Sequence, residues 1–131
     1  SCKEEIIMDT NNMEENGYYF FCKGNEKLDI GEIKEAIHFY LKSAEMAPHF
    51  KTYERLYECY VRLKEFELAH YFISMAYECN NKNDYVSYVY SKSLLNDGKK
   101  DKAEQILMDI LKRNPDYKKA RKELNLLYNG Q

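Results

Sequence analysis

Residues 31–48 read GEIKEAIHFYLKSAEMAP, and residues 98–115 read GKKDKAEQILMDILKRNP. Gly31 and Gly98, Ala36 and Ala103, and Pro48 and Pro115 stand at one common interval of 67 residues. Three unlike residue types sharing one offset mark an internal repeat. Halving the interval lands on Ala69, 33 residues after Ala36 and 34 before Ala103. The chain therefore divides into three units, 17–49, 50–83 and 84–117. An N-terminal arm or tail over 1–16 precedes them, and a C-terminal capping helix over 118–131 follows.

Within each unit the apolar residues recur at helical spacing. Ile33, Ala36, Ile37, Tyr40, Ser43 and Ala44 share one face in the first unit. Phe66, Ala69, Ile73, Ala76 and Tyr77 do so in the second, and Ala103, Ile106, Leu107, Ile110 and Leu111 in the third. The small alanines let two helices approach closely, while the large residue that follows fills the groove beside them. Gly31 and Gly98 suit a tight interhelical turn, since glycine adopts positive φ at little cost. Pro48 and Pro115 end each second helix, because proline cannot continue one. After Pro115, the residues Tyr117, Ala120, Leu124 and Leu127 fall on one face of a last helix, expected to cap the array.

These units resemble tetratricopeptide repeats, helix–turn–helix units of about 34 residues. Phe20, Gly24, Ala36, Tyr40 and Pro48 carry the pattern in the first unit. Tyr53, Leu56, Tyr60, Ala69 and Ile73 carry it in the second, and Tyr90, Leu94, Ala103, Leu107 and Pro115 in the third. The resemblance implies an all-α fold, an antiparallel helix-pair solenoid, and a binding role. Some positions depart from the pattern. Lys23 and Lys27 replace apolar residues in the first unit, where Leu28 is expected to take over the packing. Lys64 replaces the turn glycine and Asn81 the proline in the second, and Ser87 replaces a large aromatic in the third.

Composition agrees and narrows the function. The 131 residues contain only 5 glycines and 2 prolines, too few for a β-sandwich with its frequent turns. A net charge of −2 argues against nucleic acid as a partner. No apolar run approaches the ~18 residues of a membrane span. His38, His49 and His70 are scattered, no metalloprotease or nucleophile-elbow motif occurs, and Lys23-Gly24-Asn25 is not a phosphate loop. Neither catalysis nor a cofactor is expected. Cys22, Cys59 and Cys79 form no Cys-x-x-Cys pair and read as small buried hydrophobes in a reducing compartment, so no metal site is expected. A cytoplasmic location is the expectation. The opening Ser1-Cys2-Lys3 lacks an initiator methionine and suits a segment cut from a longer chain. The alternative is a lipid anchor on Cys2 in a bacterial envelope.

The run Lys23-Gly24-Asn25-Glu26 also resembles the first repeat of tetratricopeptide domains that clamp the C-terminal carboxylate of heat-shock chaperones. The resemblance implies five polar clamp positions. Asn25 fills the one asparagine of the first repeat, but Phe21, Arg55, Tyr85 and Val89 occupy the other four. The clamp's own lysines and arginine are therefore missing, which counts against terminal-carboxylate recognition.

On the first helix of each unit, the second, fifth and ninth residues share a face. These are Tyr18, Phe21 and Asn25 in the first unit. In the second they are Lys51, Glu54 and Glu58, flanked by Arg55 and Arg62, and in the third Tyr85, Tyr88 and Lys92. This face is the candidate groove for a protein or peptide partner, with aromatic platforms in the outer units and mixed charge in the middle one. Two other roles fit the same repeats: an accessory or scaffold domain of a longer enzyme or regulator, and a self-associating structural module. Residues 1–91 carry 10 basic and 16 acidic side chains, and residues 92–131 carry 10 and 6. Such asymmetry is expected to permit weak, salt-dependent head-to-tail association.

Overall fold

The computed structural model describes residues 12–130 of the chain. The N-terminal arm or tail, as far as residue 11, and Cys2 with it, lie outside the described residues. Among the described residues there are seven helices and no strand. They are α1 (Met13–Asp29), α2 (Ile33–Met46), α3 (Phe50–Arg62), α4 (Phe66–Cys79), α5 (Asp84–Asn96), α6 (Lys100–Arg113) and α7 (Lys118–Asn129). Helices α1 to α4 belong to one compact unit and α5 to α7 to a second. The first unit contains the hairpins α1/α2 and α3/α4. The second contains the hairpin α5/α6 and the added helix α7.

In the first unit, Phe20, Ala36, Ile37 and Tyr40 are buried between α1 and α2. Gly24 permits their contact: a Cβ there would lie 2.5 Å from Cε1 of the Tyr40 ring. The lysines beside it are tied off at the surface, Lys27 to Glu32 at 3.4 Å and to Glu35 at 3.6 Å. Gly24 is thus the packed position of that turn of α1, and Leu28 is only half-buried. Tyr53, Leu56 and Cys59 from α3 meet Ala69, Phe72, Ile73 and Ala76 from α4 in the core. Tyr60 stacks on Phe72 with ring centroids 5.5 Å apart.

In the second unit the core consists of Val86, Val89, Tyr90 and Leu94 against Ala103, Ile106, Leu107 and Ile110. Ala120 and Leu124 place one face of α7 against it, as the apolar spacing after Pro115 predicts. Ser87, at the position expected to hold an aromatic, is fully buried. The space is fastened by polar groups instead. Nε and Nη2 of Arg113 donate to Asp84 Oδ1 at 3.2 and 3.1 Å, and Asn114 Nδ2 donates to Asp84 Oδ2 at 3.4 Å.

Each hairpin turn is closed by one hydrogen-bond pattern. The N–H of Gly31 bonds to Leu28 O and that of Glu32 to Lys27 O. The same i−3 and i−5 bonds recur at Lys64 and Glu65, and at Gly98 and Lys99. This is the Schellman arrangement, which requires a left-handed residue just past the helix. Gly31 has φ +80°, Gly98 +76° and Lys64 +60°, so the lysine adopts the glycine conformation in the middle turn.

Besides Leu28, three residues differ from expectation. Phe66 is 63% exposed rather than on the buried face, because it opens α4 directly after the turn, a full turn before Ala69. Cys79 ends α4 and is exposed, and Cys22 is half-buried; of the three cysteines expected inside, Cys59 is the one in the core. Burial pushes the Cys59 thiol up to about 11.

Candidate functional site

In the first unit a cavity of about 430 Å³ opens where the start of α1, the end of α2 and the start of α3 meet. Its walls include Tyr18 and Phe21 from α1, Ala47 and Pro48 from the α2–α3 connection, and Lys51 from α3. The local sequence explains the geometry. Gly17 is buried where a Cβ would lie 2.8 Å from Ala47 Cβ, so α1 crosses close to the end of α2. Ser43 Oγ donates to the Gly17 carbonyl at 2.6 Å and holds that crossing. Tyr18 is 68% exposed and lies 6.4 Å, centroid to centroid, from Phe21 in a stacked arrangement. An aromatic wall with one face open to solvent results.

The rim is charged on both sides. Glu14 lines it from α1, and His49 and Lys51 line it from the start of α3. His49 caps α3, its Nδ1 accepting from the Lys51 N–H at 3.1 Å. That bond leaves Nε2 as the ring's donor. Lys51 Nζ sits 5.9 Å from the Phe50 ring centroid and is bonded to no carboxylate among the described residues.

Asn25, Glu54, Arg55 and Glu58 are engaged internally. Asn25 Oδ1 accepts from the Tyr40 hydroxyl at 2.5 Å. Burial, more than its neighbours, raises the Tyr40 hydroxyl above its ordinary range. Arg55 Nη1 reaches Glu58 at 3.3 Å and Glu54 at 4.0 Å, so one guanidinium serves two carboxylates. Burial pushes the Glu54 carboxyl upward, Arg55 opposes the rise and Glu58 adds to it. Arg62, in the last turn of α3, is exposed.

In the second unit, Tyr85 is 44% exposed and Tyr88 half-buried, with the Tyr88 ring 6.1 Å from Tyr117. Lys119 of α7 lies 5.8 Å over the Tyr88 ring. Lys92 pairs with Glu123 at 3.3 Å, which gives the largely buried Glu123 its counter-charge. The register argument identifies Tyr88 and Lys92 but not their α7 partners, Lys119 and Glu123. It also misses His49 and Gly17, for one sits in a connection and the other acts by having no side chain.

Each region is therefore a surface of aromatics and charges on the first helices of helix pairs. The comparisons agree with that architecture. The first tetratricopeptide domain of Spaghetti (RPAP3), bound to the HSP90 peptide SRMEEVD, is similar with a TM-score of 0.74 at 21% identity. That match covers 89% of this chain and 94% of the other. The tetratricopeptide domain of Arabidopsis OM64 is similar with a TM-score of 0.72 at 17% identity, covering 91% and 99%. The C-terminal tetratricopeptide-containing domain of a Plasmodium falciparum FK506-binding protein matches with a TM-score of 0.72 at 18% identity, covering 99% and 95%. No protein-family model matches the sequence, and no curated protein does. The fold is that of a tetratricopeptide-repeat domain, the all-α helix-pair solenoid expected from the repeat. No helix among the described residues is long and apolar enough to cross a membrane.

Proposed function

We propose that the domain is a non-catalytic interaction module that holds a peptide or an extended protein segment along the first helices of its repeats. The observation that carries this reading is the cavity beside α1 and α3. Tyr18, Phe21 and Lys51, which the register places on the binding face, line a single opening there. Its volume falls within the range of ligand sites, and exposed aromatics supply much of the energy at protein interfaces. A relative of the same fold was solved with a bound peptide, the HSP90 segment SRMEEVD. The chaperone-tail chemistry itself does not transfer residue by residue, since Phe21, Arg55, Tyr85 and Val89 stand where the clamp needs other side chains. Asn25, its one matching residue, is already engaged by Tyr40.

The partner is therefore expected to carry apolar anchors with charged residues between them. The reading assigns no cofactor and no role for nucleic acid, and the uneven charge of the chain supports weak self-association as a second property. The test is selection from a random peptide library on the immobilised chain, followed by titration of the selected peptides. Tyr18→Ala, and separately Tyr85→Ala with Tyr88→Ala, should weaken binding by up to about 2 kcal/mol each while helix content stays unchanged. Selected peptides that bind every variant equally would place the binding face elsewhere. Unfolding of the double variant would show those tyrosines to be core.

A further inference from the structure

We infer that the outward face of α4 is a second docking surface, fitted to an amphipathic helix that carries apolar side chains between two basic ends. Comparison of the three second helices points to it. With Ala36, Ala69 and Ala103 aligned, α4 carries Leu68, Tyr71 and Met75 at three matched positions. At the same places α2 carries Glu35, His38 and Lys42, and α6 carries Lys102, Gln105 and Asp109. The core does not account for the difference. Helix α4 packs inward through Ala69, Phe72, Ile73 and Ala76, whereas Leu68 is 42% and Tyr71 53% exposed and Met75 is half-buried. Single exposed apolar residues are ordinary. Three on one face, at positions that both other helices keep polar, mark an interface.

Spacing and charge define the occupant. Leu68, Tyr71 and Met75 stand at i, i+3 and i+7, the seam spacing by which one helix packs along another. A helix face offers no free backbone groups, so an extended strand laid there would leave its own amides unpaired. Glu67 and Glu78 bracket the seam, about 16 Å apart along the axis. Both are exposed, neither forms an ion pair among the described residues, and α4 contains no lysine or arginine. Lys64 and Lys82 lie in the connections before and after the helix. Burial and, after it, the Glu78 charge raise the neighbouring Cys79 thiol, as an unneutralised carboxylate does. A cation at each end of a partner helix would meet a carboxylate at each end of the seam, which fixes register as well as identity. A second α4 is a poor occupant. Paired antiparallel it would set Glu67 against Glu78, and paired parallel it would set each glutamate against itself.

The probes are Ac-KAQLAQALQALK-NH₂, the same peptide with glutamate in place of both lysines, and the same peptide with serine in place of the leucines. Each is titrated into the ¹⁵N-labelled full chain and followed by amide shifts. The lysine–leucine peptide should shift the signals of Leu68, Tyr71 and Met75 and bind several-fold more tightly than either other peptide. Tyr71→Gln, which installs the residue that α6 carries at this place, should weaken it several-fold with the circular dichroism unchanged. Glu67→Lys with Glu78→Lys should reverse the order of the lysine and glutamate peptides. Equal affinities, or a preference that neither variant alters, overturn the inference. Shifts confined to Tyr18, Phe21 and Lys51 overturn it too and leave the reading of the α1–α3 cavity standing. A dimer in sedimentation that Tyr71→Gln dissociates would assign the face to a second copy. Binding to phosphatidylserine vesicles that Tyr71→Gln abolishes would assign it to a membrane, and either result overturns the inference.

Discussion

The hairpins α1/α2 and α5/α6 share the same frame of turn glycine, seam alanine and closing proline, yet they fasten by different chemistry. The first brings a glycine beneath a buried tyrosine ring and stacks Phe20 against Phe39 with centroids 6.2 Å apart. The second has no glycine in its first helix. It buries Ser87 and Ser91 there and ties its ends through Asp84, Arg113 and Asn114. Ser91 Oγ donates to the Tyr88 carbonyl at 2.6 Å and Ser87 Oγ to the Asn81 carbonyl at 3.3 Å, so neither buried hydroxyl is wasted. What the period preserves is the size of the side chain at the crossing. Once a crossing is small, either aromatic packing or a polar cluster can close it.

If crossing size is the shared constraint, the strongest perturbation is a large residue at a seam alanine. Ala69, 2% exposed between α3 and α4, is the test position. Ala69→Phe should cost roughly 1–3 kcal/mol or more, since the added ring must displace packed side chains. Chemical denaturation measures this directly. An undiminished midpoint would mean that the seam of the middle hairpin runs elsewhere.

A smaller and sharper test separates the two outer hairpins. Gly→Ala inside a helix ordinarily stabilises by about 1 kcal/mol. At Gly24 the new methyl would meet three atoms of the Tyr40 ring, at 2.5, 2.6 and 2.9 Å. That ring is fully buried and its hydroxyl is held by Asn25, so it has little room to move. Gly24→Ala should therefore destabilise by a net ~1–2 kcal/mol despite its better propensity. A stabilised variant would show that the Tyr40 ring yields, and that α1/α2 is no more tightly seamed than α5/α6.

The same comparison explains which features were readable before the structure. The offsets of Gly31, Ala36 and Pro48 from Gly98, Ala103 and Pro115 place the turns and seams because period and backbone geometry are linked. The register that groups Tyr18, Phe21 and Lys51 rests on the same link, and these three side chains line one opening. Side-chain partners from outside the repeat are another matter. Lys119 and Glu123 come from a helix with no partner of its own, and no periodicity predicts that Lys92 will meet Glu123. His49 acts through a capping bond made in a connection. Cys59 and Cys79 look alike in the sequence, yet one faces the core and the other ends a helix in solvent. Spacing carries the architecture; the terminal and connecting residues acquire their roles only from neighbours distant in sequence.

The three hairpin turns offer the mildest and most selective test. Gly31, Lys64 and Gly98 occupy equivalent positions, make equivalent hydrogen bonds and share a left-handed backbone. Only the lysine pays a steric cost for that conformation, about 1–2 kcal/mol for a residue with a Cβ. Lys64→Gly relieves it but makes the unfolded chain freer, which returns about 0.4–1 kcal/mol. The expected net is a gain of about 0.5–1 kcal/mol. Gly31→Ala and Gly98→Ala should each lose about 0.5–1 kcal/mol, the same balance with its sign reversed, although nothing lies within 4 Å of a Cβ at either position. Their losses would thus report backbone conformation alone. Denaturation of the three single variants under one condition gives the comparison. Should Lys64→Gly be neutral or destabilising, the exposed lysine must contribute more to the folded state than its strained backbone costs, and the middle turn is not simply an outer turn with the wrong residue.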